Sequence, residues 1–421
     1  MLFKRLIIAV FSVAGILLTQ AQQRQTVLTP PNNENTLRLK HIFHQGIVND
    51  QLFRRLDFQE DDVFMADYED EDLEISDYGV LSAASTSVTL KTKYENVLRP
   101  DNNFQYFKTF GRHPPVTTWK REDIVVPDVT DKDTILSLAK MTHNSYLSPK
   151  KNKWYDMGDR WQKNSSFGWE KDGLRGYVFG NEANTTLVLS IKGTSAAFLW
   201  MGDGETSAND KVNDNLLFSC CCARVDATWS PVCDCYMGSN MCNQTCVEQS
   251  LTGDTVYYNA ASKIFFNVAD MYPSSSMWFT GHSLGGAVAG LIGLTFGIPT
   301  VTFEAPGELM AAKRLHLPMP PGIDMQDIPV WHFGHNADPI YTGSCTGAAS
   351  SCYFAGYAME SKCHTGKSCS YDVVSKYGWK SDIRSHRIDD VIEKVLKPWE
   401  NVTYCEPDKD CVDCGLWKYV D

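Results

Sequence analysis

The stretch Gly281-His282-Ser283-Leu284-Gly285 places a serine between two glycines at the exit of an apolar run. A serine hydroxyl is a useful nucleophile only where a base takes its proton and an acid orients that base. G-x-S-x-G is the spacing of a strand-to-helix elbow, in which the serine sits in a strained turn whose flanks leave room only for glycine. By itself the pattern also describes an ordinary glycine turn beside a core helix. The flanks favour the elbow: Met277 to Thr280 read as the end of a buried strand, and Gly286, Ala287, Ala289, Gly290 and Gly293 give a helix thin enough to lie on a sheet.

In α/β-hydrolases an acid and then a histidine follow the serine in the chain, each on a loop after a strand. Asp338, directly after the apolar run 329–333, is the best-placed acid; its bland reading is a surface aspartate in a turn. Glu304 also follows a strand but comes one unit early, and Asp372 and Asp382 lack a preceding buried strand. The base is a choice between His364, flanked by Cys363 and Cys369, and His386, on the loop feeding the last amphipathic helix, and His386 is favoured. His282, His332 and His335 read as packing, strand and loop residues. Acyl transfer also needs N–H donors for the oxyanion. Leu284, next after the serine, supplies one; Thr194, at the end of strand 186–192, is the candidate for the other. The apolar run Ala196 to Met201 that follows fits either core or a lipid-facing lid.

These residues need a scaffold of alternating strands and helices. A helix is expected over 135–145, strands over 174–179 and 186–192, a helix over 257–271, strands over 300–303 and 329–333, and a closing helix over 389–396. This is an α/β-hydrolase fold with a mostly parallel sheet. The expected organisation is a targeting segment (1–25), an accessory N-terminal region (26–115) with a strand near 87–93 and an acidic loop over 60–74, a hydrolase domain (116–400) with a cysteine-rich insertion (215–250), and a cysteine-containing tail (401–421). The accessory region is expected to stand outside the regular strand-helix series.

The chain of 421 residues carries a formal charge of −12, which supplies no basic footprint for nucleic acid. Lys4 and Arg5 precede the apolar stretch Leu6 to Leu18, a cleaved signal peptide or a retained signal anchor. Its shortness favours cleavage, whereas Thr19-Gln20-Ala21 is a mediocre cleavage site, so the residues leave the choice open. Fourteen cysteines and four sequons, at Asn164, Asn184, Asn243 and Asn401, place the rest in an oxidising, glycosylating compartment. Zinc at Cys242 and Cys246 or at Cys411 and Cys414 is the rival to disulfides, and Cys411-Val-Asp-Cys414 also has redox-dithiol spacing. Disulfides are the favoured reading, and no metal or cofactor is implied.

Taken in order, "LSIKGTS", "FTGHSLGGA", "VTFEAPGE", "HNADPI", "KCHTGKSC" and "DIRSHRI", with "LRLKHIFHQG" upstream, resemble the autophagy-related vacuolar lipases of fungi, a branch of the class-3 lipase group. The resemblance implies that Ser283, Asp338 and His386 are the catalytic residues. It implies a retained signal anchor and a single-pass type II protein with a lumenal catalytic domain, carried through multivesicular bodies to the vacuole. The implied substrates are membrane phospholipids and triacylglycerols, the implied outcome lysis of autophagic bodies and intravacuolar vesicles. Phosphoinositide binding is ascribed to the family, but no basic cluster here names a site. The alternative is a secreted triacylglycerol lipase or carboxylesterase with a cleaved signal; a third reading is a lipid-binding protein that keeps only the fold.

Overall fold

The computed structural model describes residues 34–421 apart from 50, 60–61, 69–78, 83–87, 102–105, 107, 110–116, 150–154, 157–172, 195–206, 225–229, 324 and 348–349. The targeting segment, most of the acidic loop, Asn164 and the run Ala196 to Met201 lie outside the described residues. Among the described residues no helix is long and apolar enough to cross a membrane.

The described residues begin with β1 (Glu34–Gln45), β2 (Phe53–Asp57), a small hairpin of β3 (Val63–Tyr68) and β4 (Gly79–Ser82), then β5 (Val88–Pro100) and β6 (Trp119–Pro127). Helix α1 (Lys132–Asn144), capped by Asp131, leads through β7 (Leu147–Pro149) and β8 (Tyr155–Asp156) into β9 (Leu174–Gly180) and β10 (Thr186–Ile191). Next come α2 (Ser207–Phe218), β11 (Tyr236–Gly238), β12 (Met241–Asn243), α3 (Gln244–Ser250), α4 (Tyr257–Met271), β13 (Ser276–His282) and α5 (Ser283–Phe296). The chain closes with β14 (Thr300–Phe303), α6 (Leu309–Arg314), β15 (Val330–His335), α7 (Ser351–Ala355), β16 (Lys367–Tyr371), α8 (Val373–Tyr377) and β17 (Lys418–Val420). Before β17, the helical turn Ile388–Asp390 widens into a π-type coil, Val391–Leu396. Ile388, Val391, Ile392 and Val395 are buried there, the apolar face read from the sequence.

Eleven strands form one sheet, in which β16, β15, β14, β13 and β10 run parallel and carry the candidate site at their ends. The expectation of a mostly parallel sheet holds for this central part. Beyond β10 the sheet turns antiparallel: β9 pairs with β10, β1 with β9, and β2 and β5 with β1. Strands β1, β2, β5 and β6 thus belong to the main sheet. Leu37, Leu39, Ile42 and Phe43 of β1 are buried, so this strand needs cover on both faces and finds it inside the main sheet.

Strand alternation divides the apolar side chains between two cores. Val188, Trp278, Phe303 and Phe333 pack with Ile135, Leu138 and Met141 of α1 and with Val391 and Val395. Leu187, Leu189 and Phe279 point the other way, against α4 and the small, fully buried α5. The central strands are thus covered on both faces by helices, as parallel strands require.

All fourteen cysteines are paired, in seven disulfides. Cys411 bonds Cys363 and Cys414 bonds Cys220, so the two do not form a dithiol with each other. The insertion and the tail are one structure: β17 adds in parallel to β12, and the buried Arg314 donates to the carbonyls of Ser219 and Cys220 and to the Tyr419 hydroxyl. The Cys220–Cys414 bond spans 194 residues of sequence. Replacing both cysteines by serine should lower stability by about 2–5 kcal/mol, because the unfolded chain regains the entropy of a long loop. Chemical denaturation of the double variant checks this; an unchanged midpoint would show that the bond constrains nothing the other six do not.

Candidate active site

Ser283 follows β13 and begins α5 with φ 56°, in the left-handed region that a side chain enters at a cost. The turn survives because the backbones around it touch. A Cβ on Gly285 would lie 2.3 Å from the Ile191 carbonyl oxygen, and one on Gly193 would lie 2.4 Å from that of His282. The end of β10, the end of β13 and the first turn of α5 therefore lock together only where side chains are missing.

His386 Nε2 lies 2.9 Å from Ser283 Oγ, and its Nδ1 lies 2.7 Å from Asp338 Oδ2. A carboxylate only accepts, so Nδ1–H donates to Asp338 and Nε2 is left to accept from the serine. Serine, histidine and aspartate come from three loops, after β13, before the last helix and after β15, and each is at most 5% exposed. Burial would raise the Asp338 carboxyl, but the His386 ring, helped by the neighbouring Glu304, outweighs it and holds the group at about 2. Its other oxygen accepts the Ile340 N–H at 2.8 Å.

Two further histidines carry the His386 loop. His335 Nε2 donates to the Ser385 carbonyl at 3.0 Å while its Nδ1 accepts from the Ala337 N–H. His282 Nε2 donates to the His386 carbonyl at 2.7 Å while its Nδ1 accepts from the Tyr146 hydroxyl at 2.7 Å. Each ring thus uses one donor and one acceptor, the inventory of a neutral imidazole. Burial first, and then the neighbouring His386, push His282 down to about 3. It stays uncharged beside any positive charge that arises on His386.

Leu284 is buried in the first turn of α5, where backbone N–H groups have no partner within the helix. Thr194, the last described residue after β10, is buried, and its hydroxyl donates to Asp214 Oδ2 at 2.7 Å. Asp214 on α2 is pushed well above the ordinary carboxylate range by burial, although the bond from Thr194 works against this. Sequence reasoning passed over Tyr146, Asp214 and the supporting work of His335; a histidine at the end of a buried strand was the one visible signal.

Asp372 corrects a second expectation. A half-buried strand, β16, does precede it, hidden from the sequence pattern because "KSCSY" lacks large aliphatic residues. Asp372 nonetheless caps α8, accepting from the Ser375 N–H and from Asn336 Nδ2, and does not meet His386. Asp382 caps the turn Ile383–His386. Of the sequons, Asn401 is exposed, Asn184 lies in the β9–β10 turn, and Asn243 caps α3 while half-buried.

The family model of the Tle-like phospholipase domain matches residues 235–314, which include the elbow. A protein of Pichia angusta named "Putative lipase ATG15" is 42% identical over 414 residues, covering 94% of this chain and 76% of that protein. The chain belongs to the ATG15 lipase family. Its Saccharomyces cerevisiae counterpart of the same name is 42% identical across 92% of this chain and 80% of its own. The Candida glabrata counterpart is 50% identical over 72% of this chain, and 61% of that relative is spanned. Lip2 lipase from Yarrowia lipolytica is a solved structure with 20% identity, covering 47% of this chain and 61% of that one, at a TM-score of 0.25, where structural likeness has no weight.

His364, the base not favoured, is committed elsewhere. Its Nδ1 donates to Asp408 Oδ2 at 3.1 Å and its Nε2 to the Ala305 carbonyl at 3.0 Å, so both nitrogens carry protons. Burial would lower it, but Asp408 and Glu308 raise it above the ordinary 6.5. Asp408 itself is held at about 2 by His364, against its burial. The sign follows from linkage: a raised histidine stabilises fully below the unfolded value of 6.5 and loses this as pH rises through the folded pKa. The lowered Asp408 stabilises above 3.8 and loses this as pH falls through about 2. Asp408→Asn should thus cost about 2 kcal/mol between those limits and less on the alkaline side. Denaturation of both proteins as a function of pH tests it, and a pH-independent difference would contradict the pairing.

Proposed function

We propose that the chain is a serine esterase of lipid substrates, with Ser283 as nucleophile, His386 as general base and acid, and Asp338 as the group that orients and compensates His386. The observation that carries this reading is the unbroken hydrogen-bonded chain from Ser283 Oγ through His386 to Asp338, buried and built on a left-handed elbow. Ser283 Oγ attacks the ester carbonyl as His386 Nε2 takes its proton. The Asp338 carboxylate stabilises the imidazolium, and the neutral His282 adds no repulsion. The Leu284 and Thr194 N–H groups are the donors proposed for the oxyanion, and the Asp214 bond fixes the Thr194 side chain. His386 then returns its proton to the departing alcohol, leaving an acyl-serine that water hydrolyses by the same steps in reverse roles.

Membership of the ATG15 family supports acyl esters of membrane phospholipids and triacylglycerols as substrates, and vesicle membranes within the vacuole as the place where they are met. Seven disulfides and an exposed sequon at Asn401 fit a lumenal catalytic domain reached through the secretory route. On this reading the segment 1–25 is the signal anchor of a type II protein of endosome and multivesicular body.

Ser283→Ala should lower fatty-acid release from phospholipid vesicles by on the order of 10⁴-fold or more without lowering thermal stability. His386→Ala should match it, and the double variant should cost little beyond either, since members of one relay act as a unit. Hydrolysis by folded Ser283→Ala within about tenfold of the parent would sink the assignment. Equal turnover of an ester as monomer and in vesicles would instead redirect the substrate to soluble esters.

A further inference from the structure

Glu304 stands directly after β14, fully buried and with φ 44°, a left-handed conformation for a residue that has no evident reason to be other than glycine. The turn sends its carboxyl toward the end of β15. There Oε2 accepts the His335 N–H at 3.3 Å. Oε1 lies 3.7 Å from His335 Nε2, but that nitrogen is already donating to the Ser385 carbonyl. Oε1 is left without a protein donor. The neighbouring carboxyl is that of Asp338, whose N–H donates to the carbonyl of the same His335 at 3.1 Å.

Two carboxyls in contact away from water cannot both be charged. His386 donates to Asp338, so Asp338 keeps the charge and Glu304 keeps the proton. The other titratable groups around Glu304 are His335 on β15, His386 on its loop, and the phenols of Tyr341 and Tyr371, and none supplies a cation that would ionise it. We propose that Glu304 is a positioning residue for the reaction: as a neutral acid it donates Oε1–H to the Asp338 carboxylate and so fixes the oxygen presented to His386. The same side chain accepts from His335, which holds Ser385, so one carboxyl sets both ends of the Asp338–His386 contact. This rests on the reading of Ser283, His386 and Asp338 given above.

The test is the full-length protein with Glu304→Gln and Glu304→Gly, assayed for kcat and KM on a soluble short-chain ester from acidic to neutral pH. Thermal unfolding is followed in parallel, with Ser283→Ala as control. Glutamine can accept from His335 through its carbonyl and donate to Asp338 through its amide, so Glu304→Gln should stay within about threefold of the parent with an unshifted pH profile. Glycine suits the left-handed turn but removes the donor; kcat should fall on the order of 10- to 100-fold, with KM within about twofold. A folded Glu304→Gly with parental kcat overturns the proposal. So does a folded Glu304→Gln that is as impaired as the glycine variant or has a shifted profile, and this arm decides alone if the glycine variant does not fold. Retained activity in Ser283→Ala would sink the active-site reading instead, and is thereby told apart.

Discussion

The candidate site depends on three backbone segments that touch without side chains between them. Gly193 after β10 meets the carbonyl of His282, and Gly285 in α5 meets the carbonyl of Ile191. Ser283 sits there in the left-handed region, between the parallel strands β10 and β13, whose register runs from Thr186 opposite Ser276 to Ile191 opposite Gly281. The two cores that hold these strands flat between α1 on one face and α4 and α5 on the other are therefore part of the site. Chain ends at the same edge of the same parallel sheet also deliver Glu304 and Asp338, which is why groups far apart in sequence converge.

The second requirement is electrostatic. A carboxylate with no exposure is tolerable only if its lone pairs are taken and its charge is balanced. Asp338 meets this with His386 and the Ile340 N–H. Around that charge the protein places rings that are neutral by construction, each donating to one carbonyl and accepting from one other group. A charged ring at position 282 or 335 would compete with His386 for Asp338. The region beneath α5 is built the other way: His364 is cationic between Asp408 and Ala305, and the buried Glu308 faces His332 at 3.1 Å. The histidines around Asp338 are arranged to exclude charge, whereas His364 is placed to hold it.

What the sequence made legible follows from the range of its signals. The elbow, α4, β14 and the ordering of Ser283, Asp338 and His386 rest on local patterns, and they were readable to within a residue or two. The choice of His386 over His364 came from chain order and matches the geometry. Strand β16 was missed because lysine, serine and cysteine carry no alternation, and its burial comes from a neighbour, β15, and a disulfide to Cys405. Strands β1, β2 and β5 leave no strand-helix rhythm because they pair antiparallel, yet β1 lies between β9 and β2 in the main sheet. The work of Glu304, His335, Tyr146 and Asp214 was beyond reach, since a hydrogen bond to a carbonyl or carboxyl dozens of residues away has no sequence period.

The disulfides answer a problem that this topology creates. Asp338 lies near the start of the connection from β15 to β16, and among its described residues only the short helix α7 gives that connection a helix or strand. A chain segment of this kind would ordinarily move, whereas the contact to His386 requires sub-ångström placement. Cys345–Cys352 closes the segment near its middle, Cys363–Cys411 ties its far end to the tail, and Cys369–Cys405 anchors the strand it enters. Asp408 and Asp413, on the same tail, accept from the backbone of His364, Lys362 and Cys363. The tail thus acts on the site through the loop that bears Asp338, and the cysteine-rich insertion, joined to the tail at Cys220–Cys414 and by β12 and β17, holds the tail in turn. A loop too irregular to be fixed by secondary structure is fixed instead by bonds whose formation requires an oxidising compartment.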